Sequence, residues 1–236
     1  MGEPISWRRG LARTPDPSFW EHARWYDIHI NYLEPHFAAM VAAIVWAVPP
    51  LPTDAAVIDI GCGVGTLASR FHAAYPELRL TLLDADEEDI ETAQKKMGKG
   101  GTPAVPLAYR IDPDAPGQPL PGAPYALAVS STTFGGMVGE ESSDDVFRTR
   151  LSNLLHMVYA SLDEGACLVY GDFLSHGLGV REHLILLDEA GFADAECVWR
   201  NGDLVVVGGQ RRGRTGEGLR TEQSGERCVP GTQGSR

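Results

Sequence analysis

The chain of 236 residues has few cysteines, no long apolar run and no extended basic cluster. Its four cysteines, at positions 62, 167, 197 and 228, lack metal-ligand spacing and fall mostly within apolar segments, so we expect reduced thiols and no metal site. The longest apolar run, residues 37–48, is too short to span a bilayer. No charged segment followed by an apolar one opens the chain. We therefore expect a cytoplasmic protein with no membrane contact.

Basic residues are also outnumbered by acidic ones over most of the chain. The formal net charge is −12, and residues 211–236 carry six arginines against three glutamates, so residues 1–210 carry −15. An acidic body repels phosphate backbones, which makes a nucleic-acid partner unfavourable. The final segment is almost free of apolar residues and is predicted to be disordered. We expect an N-terminal helical segment over residues 1–36, a catalytic domain over 37–210 and a tail over 211–236.

The most informative segment joins an apolar strand to three glycines. Residues 57–60 predict a short buried strand that contains Asp59, and Gly61, Gly63 and Gly65 follow at alternate positions. Apolar residues then recur at helical spacing, so the free N–H groups of a helix N-terminus face the same place. Strand, glycine loop and helix start together predict a nucleotide or nucleoside site, which also includes Cys62 and Thr66.

The glycine spacing distinguishes two cofactor classes. Dinucleotide-binding loops use G-x-G-x-x-G, but here Thr66 stands in the place of the third glycine. The pattern acid-x-G-x-G-x-G, carried by Asp59, Gly61, Gly63 and Gly65, resembles the first motif of the class I S-adenosylmethionine-dependent methyltransferases. The resemblance implies S-adenosylmethionine as cofactor and S-adenosylhomocysteine as product.

A second acid follows at the end of the next apolar run. Asp84 closes residues 80–84, 19 residues beyond Gly65, and a carboxylate there can accept hydrogen bonds from both hydroxyls of a ribose. In the resembling family this acid holds the ribose of the cofactor, with Ala85 next to it. NAD enzymes use an acid in a similar place, so Asp84 supports a nucleoside without choosing between the two cofactors.

The rest of the chain alternates strands and helices, in the order that a doubly wound sheet requires. We predict strands over residues 105–111, 125–131 and 167–173, and helices over residues 87–97, 146–162 and 180–190. Ser142 or Ser143 is expected to cap the second of these helices and Gly165 to stop it. Residues 196–200 and 204–208, joined by Asn201 and Gly202, predict a closing hairpin.

The predicted fold is a Rossmann-like α/β domain with a seven-stranded, mostly parallel sheet, a C-terminal antiparallel strand and an N-terminal helical lid. The resemblance extends over residues 35–210.

The resemblance also assigns roles at the carboxyl ends of the strands, where open α/β sheets bind ligands. It implies that Asp59 reaches the cofactor ammonium, directly or through water, although Asp59 can instead brace the loop. It implies that Asp112 accepts from the adenine amino group, although the sequence around Asp112 is also typical of an Asx turn. Ser130 and Ser131 are expected to contribute backbone carbonyls beneath the sulfonium. Thr132, Phe134 and Phe173 are expected on the acceptor side.

Two features concern the acceptor. Some amino-group methyltransferases carry Asn/Asp-Pro-Pro-aromatic at the end of the fourth strand, whereas this chain has Ser130-Ser131-Thr132-Thr133-Phe134, which disfavours adenine or glutamine as acceptor. A base is needed only for an acceptor that carries a proton, such as a phenol, an amine or an acidic carbon. His176 is the candidate for that base, with a solvated surface histidine as the alternative.

Aromatic residues are concentrated before residue 38. Eight aromatic or histidine side chains fall within residues 20–37, in a chain with 8% aromatic residues. On a helix, Tyr26 and His29 would share one face, as would Tyr32 and His36. This pattern predicts a lid over the cofactor and a planar substrate, with Tyr26 on the cofactor and His29 and Tyr32 on the substrate. The alternative is that the aromatics pack an additional helix onto the sheet.

The function predicted from the sequence is methyl transfer from S-adenosylmethionine to a small-molecule acceptor by a monomer or homodimer. The aromatic N-terminal segment and the composition favour an aromatic acceptor of specialised metabolism. Within the same class, the segment around Gly191 and Trp199 also resembles methyltransferases of tRNA wobble uridines. An enzyme that uses the cofactor without consuming it, for a cyclisation or rearrangement, and a non-catalytic nucleotide-binding module are further alternatives.

Overall fold

The computed structural model describes residues 36–98, 103–115, 117–139, 143–174 and 178–213. In chain order the elements in these ranges are α1 (Phe37–Trp46), β1 (Ala56–Ile60), α2 (Thr66–Ala74), β2 (Arg79–Asp84), α3 (Glu87–Met97), β3 (Val105–Ala108), β4 (Tyr125–Ser131), α4 (Phe134–Val138), α5 (Asp144–Ser161), β5 (Leu162–Phe173), α6 (Val180–Glu189), β6 (Phe192–Asn201) and β7 (Leu204–Arg211). No helix within the described ranges is long and apolar enough to cross a membrane.

The seven strands form one sheet in the order β3-β2-β1-β4-β5-β7-β6. The pairs from β3 to β5 are parallel, whereas β7 runs antiparallel to both β5 and β6. The chain builds outward from β1 to β3 and then returns to place β4 on the other side of β1. The crevice beyond the carboxyl ends of β1 and β4 is therefore the topological switch point, where sheets of this class bind ligands. The predicted doubly wound sheet and its antiparallel closing hairpin are confirmed.

Helices cover both faces of the sheet, because strands with two apolar faces must bury both. One core cluster joins the sheet to α4, α5 and α6, and includes Phe134 and Tyr170. The other joins the opposite face to α1, α2 and α3, and includes Met40 and Phe71. Alternation along β1 divides its side chains between the two clusters, with Ile58 and Ile60 in the first and Val57 in the second.

The boundary between α5 and β5 differs from the prediction. The helix ends at Ser161, and β5 begins at Leu162 rather than at residue 167. The Ser161 hydroxyl donates to the carbonyl of Met157 at 2.7 Å and accepts from the Leu120 amide at 2.7 Å, which satisfies polar groups at the helix end. Gly165, which was predicted to stop the helix, lies inside β5 with φ of +79°, where the pairing with β4 is irregular. The left-handed backbone conformation of Gly165 accommodates this irregularity in the strand, as glycines do in β-bulges.

Three other strands, β3, β6 and β7, differ in length from the prediction. β3 ends at Ala108, whereas the prediction ran to residue 111, because the chain turns away from the sheet after Tyr109 donates its amide to the Asp84 carbonyl at 2.8 Å. Both strands of the closing hairpin are longer than predicted. Ser143 is the residue before α5, as one of the two predicted caps, but its side chain makes no capping hydrogen bond. Ser142 lies outside the described residues.

Close packing of α1 on β5 depends on a glycine. A Cβ at Gly171 would lie 2.8 Å from Sδ of Met40 and 3.0 Å from Cδ1 of Ile44, and both of these side chains are fully buried. The helix itself carries no polar residue, so burial of its inner face is what holds it on the sheet.

We expect Gly171→Ala to destabilise the fold by about 1–3 kcal/mol, the usual cost of overpacking a filled core. The measurement is the free energy of unfolding by urea. Gly213→Ala is the matched control, because a Cβ there meets nothing within 4 Å, and it should change stability by less than about 0.5 kcal/mol. Equal effects of the two substitutions would contradict this account of the α1 contact.

Candidate active site

The glycine loop is held by hydrogen bonds to the neighbouring strand. The amides of Gly61 and Cys62 both donate to the carbonyl of Leu83, at 2.8 and 2.9 Å, and the Gly65 amide donates to the carbonyl of Cys62 at 2.9 Å. Gly61, Gly63 and Gly65 have φ of +67°, +46° and +78°, in the region that favours glycine. The sequence therefore turns sharply here because three glycines permit a left-handed path.

Asp84 fixes the middle of this loop from the end of β2. Its Oδ2 accepts from the Gly63 amide at 2.8 Å, and its Oδ1 accepts from the Asp86 amide at 3.1 Å. Each oxygen keeps a further lone pair for a ligand. The side chain predicted to hold a ribose is thus already oriented by backbone donors on both sides.

The end of β4 closes the loop from the other side. The Thr133 hydroxyl lies 3.1 Å from the carbonyl of Gly61 and 2.9 Å from that of Ser131, both of which can accept its proton. A Cβ at Gly61 would collide with the side chain of Thr133, so glycine is required there for space as well as for its backbone. Thr132, with φ of +49°, donates its amide to the Gly171 carbonyl at 2.7 Å.

These elements surround a cavity of about 450 Å³. It lies at the switch point, beyond β1, β2 and β4, and its volume is in the range of small-molecule sites. Its lining residues are Phe37, Gly61, Cys62, Gly63, Val64, Thr66, Leu67, Asp84, Ala85, Asp89, Tyr109, Arg110, Ile111, Ser131, Thr132, Thr133, Gly136 and Met137. The wall combines a polar side, formed by the loop and the carboxylates, with an apolar side that includes Phe37 and Met137.

Asp59 lies beneath the loop and not on the cavity wall. It is 1% exposed, and neither carboxylate oxygen has a hydrogen-bond partner in the structure. Burial, and secondarily the nearby charge of Asp84, raise the pKa of Asp59 to about 8. A buried carboxylate without a partner is costly unless it is neutral or meets a cation. Asp59 is therefore neutral near pH 7 in the free protein, and a cation close to it would favour its ionised form.

Cys62 is not a nucleophile in this arrangement. Burial and the charges of Asp59, Asp84 and Asp89 raise the pKa of its thiol far above the ordinary value. A thiol in a negative, desolvated environment stays protonated, and only the thiolate reacts. Its side chain acts as a small apolar filler of the loop, in agreement with the expectation of reduced thiols.

Eight of the predicted site residues line the cavity: Gly61, Cys62, Gly63, Thr66, Asp84, Ala85, Ser131 and Thr132. Gly65 lies behind the wall, where a Cβ would approach Cβ of Ala93 in α3 to 2.6 Å. Ser130 is buried and donates its hydroxyl to the Ile60 carbonyl at 2.8 Å, so its side chain ties β4 to β1.

Three other predicted residues lie away from the lining. Asp112 is exposed, and its carboxylate accepts from the Asp114 amide at 2.9 Å, which is the Asx turn that the sequence left as the alternative. Phe134 is 1% exposed and packs on Tyr170 with ring centroids 4.8 Å apart, so it belongs to the core and not to the acceptor side. Phe173 packs at the edge of the other core cluster. Tyr26, His29, Tyr32 and His176 lie outside the described residues.

Sequence reasoning missed part of the wall. Tyr109, Arg110 and Ile111 line the cavity because β3 ends at Ala108, and the rule that ligands lie beyond strand ends would have found them with the correct boundary. Asp89 lines it from the first turn of α3. No local sequence signal marks Asp89, because its place on the wall depends on the packing of Ala93, one helical turn further along α3, on Gly65.

Known proteins that resemble this chain include methyltransferases, in agreement with the geometry of the cavity. Residues 57–154 match the protein family described as a methyltransferase domain. This match and the shared fold support the class I S-adenosylmethionine-dependent methyltransferase superfamily for this domain. The matched residues begin in β1 and include the glycine loop, Asp84 and the end of β4. S-adenosylmethionine is the cofactor of this superfamily.

Curated relatives are similar over short stretches. The malonyl-[acyl-carrier protein] O-methyltransferase of Anoxybacillus flavithermus is 35% identical over 80 residues, which is 34% of this chain and 29% of that protein. The ribosomal RNA small subunit methyltransferase C of Escherichia coli (strain K12 / DH10B) is 24% identical over 132 residues, which is 55% of this chain and 37% of that protein. The chain thus spans about a third of the length of the curated relatives it matches.

Solved structures share the fold at low identity. A TehB-like methyltransferase from Corynebacterium glutamicum has a TM-score of 0.58 at 16% identity, over 83% of this chain and 100% of that one. Human N-acetylserotonin methyltransferase in complex with S-adenosylmethionine has a TM-score of 0.57 at 16% identity, over 83% and 58%. At this identity the likeness concerns the fold alone.

The buried state of Asp59 predicts a pH-dependent stability. The folded protein holds the Asp59 proton up to about pH 8, whereas the carboxyl has a pKa of 3.8 without burial. Unfolding therefore releases a proton between these values, and stability falls as pH rises through that window, by on the order of 1 kcal/mol per pH unit. Asp59→Asn, which mimics the neutral acid, should remove this contribution.

The measurement is the difference in unfolding free energy between wild type and Asp59→Asn from pH 5 to pH 8, in which the other titrating groups cancel. We expect the wild type to lose stability relative to the variant as pH rises. Asp163→Asn, at an exposed position, is the control and should run parallel to the wild type. A constant difference between wild type and Asp59→Asn would show that Asp59 is ionised in the folded protein.

Proposed function

We propose that this protein is a methyltransferase that transfers the methyl group of S-adenosylmethionine to a small-molecule acceptor and releases S-adenosylhomocysteine. The observation that carries the proposal is the cavity at the switch point, where a left-handed glycine loop and the oriented carboxylate of Asp84 face the same space. The match to the methyltransferase domain supports this use of the cavity.

The residues present fit the cofactor. Asp84 offers acceptor lone pairs for sugar hydroxyls, and the Gly61 to Gly65 loop brings backbone close to the space where a Cβ would intrude. The buried carboxylate of Asp59 favours a nearby cation such as an ammonium. When bound, S-adenosylmethionine supplies a methyl group on a sulfonium, an activated carbon whose leaving group is a neutral thioether.

The chain's own contribution is positioning and desolvation. In an in-line displacement the acceptor atom bonds to the methyl carbon while the carbon–sulfur bond breaks, and the bonding pair remains on sulfur. Thr133 and Asp84 hold the loop on its two sides, so the geometry is fixed before ligands arrive. Phe37 and Met137 exclude water from one wall of the cavity. An acceptor that carries a proton needs a base, for which His176 remains the candidate.

The proposal that the methyl acceptor is a small molecule and not RNA rests on charge. The rim around Asp84 carries Asp86, Glu87, Glu88 and Asp89, and the whole chain has a formal net charge of −12. An RNA backbone brought to this rim meets like charge. Arg110 is the single basic residue among the described residues of the cavity wall. The Ser-Ser-Thr-Thr-Phe sequence at the end of β4 also differs from the Asn/Asp-Pro-Pro-aromatic pattern of some amino-group methyltransferases.

A second candidate is an RNA methyltransferase. The similarity to the ribosomal RNA small subunit methyltransferase C of Escherichia coli, which covers 55% of this chain, favours it. The acidic rim opposes it. The similarity to the malonyl-[acyl-carrier protein] O-methyltransferase is a reason to include carboxylates among the acceptors tested.

We expect Asp84→Asn to weaken the binding of S-adenosylmethionine and S-adenosylhomocysteine about tenfold or more, since a charge-assisted hydrogen bond is worth roughly 1.5–3 kcal/mol. An amide offers one acceptor oxygen, whereas both Asp84 oxygens already serve backbone donors. Titration calorimetry with both ligands and NAD is the measurement, and Asp163→Asn is the charge-matched control. Binding of NAD alone would exclude this cofactor.

Turnover is tested by measuring production of S-adenosylhomocysteine with panels of phenols, amines and carboxylates, and separately with ribosomal RNA fragments. We expect turnover with a member of the small-molecule panel. Turnover on RNA alone would establish the second candidate. Cofactor binding without turnover on either panel would favour use of S-adenosylmethionine as a non-reacting cofactor.

A further inference from the structure

Two glycines, Gly135 and Gly136, lie next to each other in α4, a helix of five residues. A glycine inside a helix lowers stability by about 0.5–1 kcal/mol relative to alanine. Neither of these glycines has a positive φ, so the backbone conformation of α4 does not require them. The reason for their presence therefore lies in what surrounds them.

The two glycines have different surroundings. A Cβ at Gly135 would lie 3.6 Å from Oδ1 of Asp172, which is ordinary van der Waals contact with a buried side chain. A Cβ at Gly136 would meet no described residue within 4 Å. Gly136 is exposed and lines the cavity, whereas Gly135 is not part of the lining. A side chain at position 136 would therefore extend into the space of the cavity.

Contacts at both ends hold α4 in place. Asp172, near the end of β5, accepts the Gly135 amide through Oδ2 at 2.9 Å. At the other end of the helix, Nη1 of Arg150 donates to the carbonyl of Val138 at 3.1 Å. Phe134, the first residue of the helix, is buried in the core. Because α4 cannot easily shift, the open space on its cavity side is a fixed feature of the site.

The part of the wall next to α4 is uncharged. The two carboxylates of the described lining, Asp84 and Asp89, come from β2 and α3, and β1 separates β2 from β4. The described wall residues from the end of β4 to α4 are all neutral: Ser131, Thr132, Thr133, Gly136 and Met137. The space beside α4 is thus suited to an apolar group and not to an ion.

A flat apolar group fits this surface. Glycine is the residue that lets a backbone approach a ligand closely, because it has no Cβ to keep the ligand away. The next residue, Met137, also lines the cavity, and its thioether makes favourable contacts with aromatic rings. A planar ring can therefore lie against α4 at Gly136, in the place that a side chain would otherwise occupy.

We propose that Gly136 is a specificity-determining residue for the methyl acceptor, because it leaves room for a planar apolar ring against α4. This inference rests on the proposed function and adds to it the class of acceptor, an aromatic molecule whose ring lies in the space at Gly136. A larger side chain at this position excludes larger ring systems first.

The test compares side chains of graded size at position 136 with ring systems of graded size. Wild type, Gly136→Ala, Gly136→Leu and Gly135→Ala are saturated with S-adenosylhomocysteine and titrated with phenol, naphthol and phenanthrol. Gly135→Ala is the matched control, because it gives the same helix the same gain in helix propensity without entering the cavity. Separate titrations measure the affinity of each variant for S-adenosylhomocysteine, and thermal unfolding checks that each variant is folded.

We expect Gly136→Leu to weaken the binding of naphthol and phenanthrol about tenfold or more, since a single methylene in an apolar site already discriminates by this order. The loss should increase from phenol to phenanthrol and should be smaller with Gly136→Ala. Gly135→Ala should bind all three probes within about twofold of wild type. Every variant should bind S-adenosylhomocysteine as wild type does, because Asp84 and the glycine loop are unchanged.

The other outcomes overturn the inference. Equal losses for phenol and phenanthrol, or equal losses in Gly135→Ala and Gly136→Ala, would show that position 136 does not select by size. A loss of S-adenosylhomocysteine affinity as large as that of the probes would place Gly136 in the cofactor space. If wild type binds S-adenosylhomocysteine but none of the three probes, the acceptor is of another class. If wild type fails to bind S-adenosylhomocysteine, the proposed function itself fails, which none of the earlier outcomes implies.

Discussion

The hydrogen bond from the Gly63 amide to Asp84 is the contact on which the rest of the site depends. It joins the end of β2 to the middle of the glycine loop, at a point where the loop has no side chain of its own to hold it. The carbonyl of Leu83, also in β2, accepts hydrogen bonds from the amides of Gly61 and Cys62. The loop is therefore bound to one neighbouring strand at three of its residues. Because parallel strands end at the same edge, fixing the loop to β2 also fixes the space between β1 and β4.

That arrangement gathers negative charge in a region with few counterions. Asp59, Asp84 and Asp89 lie close to Cys62, and Asp59 is buried without a partner, which keeps it protonated up to about pH 8. A cation that binds nearby favours the ionised form of Asp59 and lowers its pKa. A ligand that carries both a sulfonium and an ammonium matches this field better than a dinucleotide that carries a pyrophosphate. Charge therefore agrees with glycine spacing in the choice of cofactor.

The sequence predicted the sheet and the half of the site that depends on backbone. Glycine spacing, an acid after a strand and alternating apolar patterns are local signals, and they located the loop, Asp84 and the closing hairpin. Phe134 was wrongly expected near the ligands, because nothing local distinguishes an aromatic that enters the core from one that faces a cavity. Asp112 makes the Asx turn beside Ile111 of the cavity wall, and its role toward the cofactor stays a prediction. Gly165 was misread for a similar reason, since a left-handed glycine serves a bulge as well as a helix end. The position of Asp89 on the cavity wall depends on the packing of α3 against Gly65, which is a tertiary contact and leaves no local signal in the sequence.

The start of α1 shows where the preceding chain meets the domain. His36 Nδ1 lies 3.1 Å from Nδ2 of Asn201, the last residue of β6, while the next residue, Phe37, lines the cavity. The entry of the chain into the domain is thus tied to the closing hairpin, toward the other edge of the sheet from β2 and its contact with the glycine loop. A different segment before residue 36 can therefore be attached there without altering the hydrogen bonds between β2 and the loop. The entry of the chain and the shaping of the loop are in this way separated along the width of a single sheet.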